Sequence, residues 1–380
     1  MPLNFVASQS LTLGVEIELQ LLNPDTLDLI AKSEKILEMC GERKIDRVKA
    51  ELHQSMLEVD TPICENVKQC KKSLCETIQT VYELCNQSNL LISVSGTHPF
   101  QQWSERQIYP NPRNCYLASK FRWLARRMNV YGMHLHIGIK DKNQGIQLVN
   151  GLIPYLPLFL ALSSSSPFWQ GIDTGFHSCR LGIIESFPYS GVPPFFNDWN
   201  EFENYYDILR QAGAVQSTKD LYWFIRPNAK FGTIEIRIFD AMPTIMETVA
   251  LIALAQCIAK NIIDNPDQEK NPYYHWIAPS NILIASRDGL DGVIITEKSG
   301  KKQKIKEQAY ACLQNLTSTA RDLNCLEEFI FIETILKNGT SSQRQKKAFE
   351  ETQNLQAVVR AIQDEAIQSF VNSGYADLCD

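Results

Sequence analysis

A two-residue alternation with a chemically loaded polar side constrains this chain more than any other feature. In Leu11–Leu22, the residues Leu11, Leu13, Val15, Ile17, Leu19 and Leu21 share one side, while Thr12, Gly14, Glu16, Glu18 and Gln20 share the other. Met133–Ile139 sets Met133, Leu135, Ile137 and Ile139 against His134, His136 and Gly138. Thr233–Phe239 sets Ile234, Ile236 and Ile238 against Thr233, Glu235, Arg237 and Phe239. Successive side chains of a strand point to opposite faces, so each segment predicts a strand with one buried face. Val48–Val59, Leu90–Ser95 and Leu221–Arg226 are further strand candidates, giving about six in all.

Helical patterns lie between them. Ile63–Asn89 carries Val67, Cys70, Leu74, Ile78, Val81 and Leu84 at three- and four-residue steps, the stripe of an amphipathic helix. Tyr116–Asn129, Ile146–Ser164, Trp199–Gln211 and Pro243–Ile263 also read as helices. Beyond Asn265 strand signals nearly vanish. Gly289–Gly300 reads as a turn-rich excursion, Gln303–Leu323 and Ser342–Asn372 as long polar-faced helices, and Lys301–Lys306 as a solvated helix start. The expected class is α+β: a mainly antiparallel sheet with helices on one face over residues 1–265, then a mainly helical portion, 266–380, packed on that core.

Charge and cysteine usage narrow the function. Lys and Arg number 37 against 43 Asp and Glu, a net charge of −6, which argues against a dedicated nucleic-acid binder. The 11 cysteines are odd in number and form no CxxC pair, so reduced, mostly buried thiols are expected rather than a disulfide framework. The opening MPLNFVASQS has no basic or apolar signal region, and the run Leu152–Leu162 is broken by Pro154 and Pro157 and is too short to span a bilayer. A cytoplasmic protein without membrane or nucleic-acid partners is expected.

The polar faces carry the chemistry. Glu16 and Glu18 project from one side about 7 Å apart along the strand; His134 with His136, and Glu235 with Arg237, repeat that spacing. If the strands share a sheet, three glutamates, two histidines and an arginine converge. Crowded carboxylates repel unless neutralised, and an oxygen-rich donor set suits Mg²⁺ or Mn²⁺ better than Zn²⁺. An arginine beside such a site can clamp phosphate. No GxxxxGK[ST] or GxGxxG cradle is present, so a triphosphate would be held by metals and arginines. Glu51 and Glu58 add two acids, with Glu58 the stronger ligand candidate. Their separation of seven allows one shared site only if the chain bulges or turns near Gln54 to Met56.

At this point the motifs LTLGVEIELQ, AELHQSMLEVDTP, SGTHPFQQW, YGMHLHIG, SFPYSG, KDLYWFIRP and FGTIEIRIFDAMPT, in that order, resemble those of the YbdK-like carboxylate–amine ligases. These form the glutamate–cysteine ligase type 2 group of the glutamine synthetase-like superfamily. The resemblance runs from about Leu11 to Thr244 and continues more weakly through GLDGVI. It implies a curved, cup-shaped antiparallel sheet, ATP with two or three Mg²⁺, and the joining of a small-molecule carboxylate to an amine, both amino acids. It also implies a homodimer, with glutamate and cysteine as the family's default pair. Carried over by motif, Glu16, Glu18, Glu51, Glu58, His134 and Glu235 would be metal ligands. Glu235 and Arg237 would serve the phosphoryl transfer, and Arg180, Arg226, Arg237, His136 and Thr97 would bind substrate or ATP. Two departures fall where a substrate would be read: Phe224 stands where relatives often have an acid before IRP, and Leu181-Gly182 follows Arg180 where Pro-Asn is commoner.

Two other readings compete. His134-x-His136 with a glutamate could form the zinc site of a hydrolase, and the fold could be a catalytically idle ATP-binding module. His53, His98 and His177 read as structural, Ser163–Ser166 as a helix end, Cys179 as unreactive, and Trp103, Trp169 and Trp199 as core or rim aromatics.

Overall fold

A computed structural model of the chain describes residues 3–266 and 271–369. Its centre is a seven-stranded sheet. The strands are β1 (Leu13–Leu22), β2 (Val48–Ala50), β3 (Met56–Asp60), β4 (Leu91–Ser93), β5 (Met133–Gly138), β6 (Ile225–Asn228) and β7 (Thr233–Ile236). They run in the order β6-β7-β5-β1-β3-β2, with β4 joined to the end of β1, and every pairing is antiparallel. β1 is the hub, since three strands bond to it.

The alternation sets which face is buried. Leu13, Val15, Ile17 and Leu19 of β1 and Leu135 and Ile137 of β5 are buried in the main core. Helices α1 (Val67–Gln87), α2 (Lys142–Leu152) and α3 (Ile245–Asp264) cover that face. Asn66 and Asp141 cap α1 and α2 by accepting the N–H of Gln69 and Gln144 at 3.0 and 2.8 Å. α3 is apolar nearly all round because it lies between α1 and α2 on one side and the C-terminal helices on the other. Ile245–Asp264 and the continuous helical stretch Lys142–Ser163 are both long and apolar enough to cross a bilayer. Yet 83% of each apolar window is inside the fold, so burial in the protein core accounts for their composition. Thiols follow the expected pattern: ten cysteines among the described residues are free, and only Cys115 and Cys179 are not buried.

Several boundaries differ from expectation, each for a local reason. Val48–Val59 is two strands, because Met56 N–H bonds back to the His53 carbonyl at 3.0 Å and turns the chain. Tyr116–Asn129 is broken at Arg122, whose φ is +49°, into Pro112–Phe121 and Trp123–Arg127. Ser342–Asn372 is likewise two helices, Ser341–Thr352 and Leu355–Ile367, separated by Gln353 in the left-handed region; residues 370–372 lie outside the described residues. The basic run is not a helix start. Lys302–Lys304 forms a strand against Val293–Ile295, and the helix begins at Ile305. Helices Tyr273–Asp288 and Leu326–Asn338 were not anticipated by the periodicity. The C-terminal helices share one continuous core with the sheet, from Leu13 to Ala366.

Leu19 lies wholly buried at the centre of β1. Leu19→Ala is expected to cost about 2–5 kcal/mol, read as a lower urea midpoint with an unchanged slope.

Candidate active site

The opposite face of the sheet lines a cavity of about 390 Å³. Register brings its side chains together. Glu16 pairs with His134, Glu18 with Glu58, and Glu235 with both His136 and Arg226. Directly paired residues project to the same face, so five strands deliver acids, histidines and arginines to one surface. Glu16, Glu18, Glu51, Glu58, His134, His136, Arg180, Arg226, Glu235 and Arg237 all line the cavity. The His53–Met56 turn lets Glu51 and Glu58 share it, and Asn114 Nδ2 donates to the Glu51 carbonyl at 2.9 Å to fix that loop.

The acids fall into two electrostatic groups. Glu235 is 2% exposed and doubly compensated. Arg226 grips it with Nε to Oε2 at 2.9 Å and Nη2 to Oε1 at 3.0 Å, and Arg237 Nη1 donates to the same Oε1. Burial alone would raise the Glu235 pKa, but Arg226 and Arg237 outweigh it and hold the carboxyl well below its ordinary range. Glu16 is also lowered against its desolvation, through His134 Nδ1 at 3.1 Å and His136 Nε2 at 3.5 Å. Burial and Arg237 bring His134 down to about 4, so it is neutral at pH 7.

Glu18, Glu51 and Glu58 are the uncompensated group. Burial raises Glu18 to about 7, against the pull of Arg180 and of the Gly132 N–H, which donates at 2.6 Å. Burial and the neighbouring Glu18 raise Glu51 to about 8. Glu58 is pushed well above the usual range by burial, Glu16 and Glu51. Carboxyl oxygens are the ligands a hard divalent cation prefers, and these three line the cavity without a matching basic partner. Separately, one oxygen each from Glu16 and Glu235 and one nitrogen of His136 lie within 4.8 Å of one another, close enough for a single ion.

The arginines differ in availability. Arg226 is committed to Glu235 and to the carbonyls of Leu221, Thr218 and Lys219 at 2.7–3.2 Å, so it positions Glu235 and has little donor capacity left. The Arg237 side chain is 21% exposed and touches Glu235 through one Nη only. Arg180 is 2% exposed and reaches the backbone only at 3.5 Å and Asp240 at 3.9 Å. Gly132 makes room for it, since a Cβ there would stand 2.0 Å from Arg180 Nη2.

Thr97 is not brought to the cavity. It is 1% exposed and its hydroxyl donates to the Phe168 carbonyl at 2.7 Å, a structural tie. His98 bonds the Leu27 carbonyl at 2.8 Å, and Ser165 and Ser166 serve the buried Asp240. Burial raises the Cys179 thiol to about 12. Residues that alternation did not single out also line the cavity: Lys49, Arg113, Leu117, Met128, Ile184, Lys219 and Tyr222. Lys49 lies on β2 and Tyr222 on a two-residue strand, both inside strand candidates but on segments too short to mark a face; the others come from helices and the segments beside them, and among those only Lys219 lies in a matched motif.

From about pH 7.5, roughly one unit above the ordinary histidine pKa, the depressed histidines are almost wholly neutral both folded and unfolded, so the uncompensated acids, with His136 raised by Glu16 and Glu235, set the sign. Their folded pKa values exceed the unfolded ones, the native state binds more protons, and stability falls as pH rises. The melting temperature of EDTA-treated protein should therefore drop between about pH 7.5 and 8.5. Glu51→Gln should flatten that slope, and a melting temperature that climbs over this range would contradict the electrostatic assignment.

Comparison with known proteins follows the same lines. The family model described as "Glutamate-cysteine ligase family 2(GCS2)" matches residues 12–373. The chain is 36% identical over 367 residues to a Gloeobacter violaceus protein named "Putative glutamate--cysteine ligase 2", covering 94% of this chain and 98% of the relative. It is 35% identical to a Thermobifida fusca protein of the same name, covering 95% and 92%. Among solved structures, a glutamate–cysteine ligase from Francisella tularensis in complex with AMP superposes with a TM-score of 0.68. The identity is 10%, and 99% of this chain and 93% of that one are covered. A bifunctional glutathione synthetase from Pasteurella multocida superposes at 0.64 and 15% identity, covering 96% of this chain and 52% of that one. Both likenesses speak to the fold.

Proposed function

The chain belongs to glutamate–cysteine ligase family 2, and from that premise we propose that it is an ATP- and magnesium-dependent carboxylate–amine ligase working through an acyl phosphate. The observation that carries this reading is the meeting of five glutamates, two histidines and four arginines from separate segments in one cavity. On this reading the sheet is the curved floor of a glutamine synthetase-like cup, and the enzyme acts in the cytoplasm on amino acids, glutamate and cysteine being the pair its relatives' names suggest.

A carboxylate and an amine do not condense in water because carboxylate oxygen leaves poorly. Transfer of a phosphoryl group from ATP to that oxygen would make it a good leaving group. The protein's part is then positioning and charge stabilisation. Glu18, Glu51 and Glu58 would hold one magnesium, and Glu16 and Glu235 another, with His134 or His136 completing the set. Bound magnesium would neutralise phosphate charge. Arg226 keeps Glu235 ionised and oriented, which frees Arg237 to stabilise charge on the transferring group. His134, neutral at pH 7, brings no positive charge to the site and so does not compete with Arg237 for phosphate.

The carboxylate excess and Arg237 favour a ligase over a zinc hydrolase. Metal analysis checks this: stoichiometric zinc in purified protein would favour the hydrolase. The direct test is magnesium-dependent ADP release with pairs of amino acids, with the product mass measured. Arg237→Gln is expected to slow ADP release about 10²–10³-fold with the melting temperature kept. Glu235→Ala should abolish turnover, and because it strands buried Arg226 it should also destabilise the fold by about 3–5 kcal/mol. Near-normal turnover in either variant, or no ADP release with any pair, would overturn the reading.

A further inference from the structure

One end of the cavity is built differently from the sheet floor. Leu117 of the helix Pro112–Phe121, Met128 beyond the helix Trp123–Arg127, and Ile184 at the end of the helix Arg180–Ile184 line it with Tyr222. Leu117 and Tyr222 belong to a satellite apolar cluster with Phe187; Met128 and Ile184 pack on it, and Ile184 also touches the main core. An apolar wall in a cavity otherwise lined by acids and arginines offers contact surface to a ligand's apolar part.

Two buried polar groups are left unpartnered against that wall. The Tyr222 hydroxyl is buried, in a residue 7% exposed, and has no hydrogen-bond partner among the described residues. Arg180 Nε is likewise buried without one. Asp240, its nearest acid, spends its oxygens on Ser165 N–H, Ser166 Oγ and Ser178 Oγ at 2.7–2.9 Å. Buried donors without acceptors cost free energy that a ligand's acceptors would recover. Arg180 and Ile184 are four residues apart on one short helix, so the cation and the apolar wall face the cavity from the same side.

We propose that Leu117, Met128, Ile184 and Tyr222, with Arg180, form the subsite for an amino-acid substrate bearing a medium or large apolar side chain, its carboxylate on Arg180. This rests on the ligase reading and extends it to substrate class. A bidentate arginine–carboxylate pair fixes the amino acid's backbone end; Tyr222 donates to its second acceptor; the side chain lies on the wall.

Two measurements on the full-length protein separate this proposal from the one it rests on. Calorimetric titration with L-leucine, L-methionine, L-phenylalanine, L-cysteine and L-serine, in magnesium and a non-hydrolysable ATP analogue, reads the subsite without turnover. ADP release with glutamate and the same panel reads the reaction. Leucine, methionine or phenylalanine should exceed serine and cysteine by at least about tenfold in affinity and in kcat/KM. Ile184→Ala should erase most of that margin while leaving serine unchanged. Tyr222→Phe should raise the KM for the apolar amino acid and leave the KM for ATP and the melting temperature unchanged. Tighter binding of cysteine or serine, or no binding of any apolar amino acid, overturns the subsite. Apolar binding without ADP release keeps the subsite and sinks the ligase.

Discussion

Carboxylate crowding on one sheet face is the constraint from which the site's other features follow. Five buried or half-buried glutamates cannot all ionise within one cavity unless charge is supplied. The protein supplies it to only two of them. Arg226 and Arg237 serve Glu235, and His136, its pKa raised by Glu16 and Glu235, serves Glu16, with neutral His134 adding a hydrogen bond. Glu18, Glu51 and Glu58 receive no comparable partner, and burial pushes all three upward. That asymmetry divides the face into a half neutralised by the protein's own cations and a half whose charge balance depends on protons or on a bound cation.

Antiparallel register is what makes the crowding possible. Glu16 and His134 are far apart in sequence, yet they stand opposite one another on neighbouring strands. The same ladder carries His136 to Glu235 and Glu235 to Arg226. A slip of one residue between β1 and β5 would turn the histidines into the helices and the leucines into the cavity. The apolar face prevents that slip, because Leu135 and Ile137 are wholly buried. Packing against α1, α2 and α3 thus does more than stabilise the sheet: it fixes which residues meet on the other side.

Legibility in the sequence followed this logic. The polar faces of β1, β5 and β7 could be read directly, since period-two alternation is a property of the strand itself. Glu51 was legible only conditionally. Its separation from Glu58 required a turn, and the His53–Met56 turn meets that requirement. Helix breaks at Arg122 and Gln353 were not legible, because an arginine and a glutamine take positive φ there, with no glycine or proline to announce them. Thr97 shares a motif with buried structural residues, and motif membership alone could not separate a hydroxyl tied to Phe168 from one facing the cavity. The reverse held for Arg226, whose residue type suggested ligand binding while its geometry commits it to Glu235.

The same distinction explains why chemistry was easier to read than substrate. Groups proposed to serve ATP and magnesium sit mainly on strands, where spacing along the chain converts into position. Arg180, Ile184, Leu117 and Met128 sit on short helices and the segments beside them, converging from parts of the chain with no shared period. Segments of that kind ordinarily carry specificity on a rigid scaffold. Their apolar character at this site is a packing fact: the satellite cluster around Tyr222 and Phe187 turns part of its surface to the cavity. A chain built this way can keep the reaction fixed by its sheet while the residues around Arg180 vary what is joined.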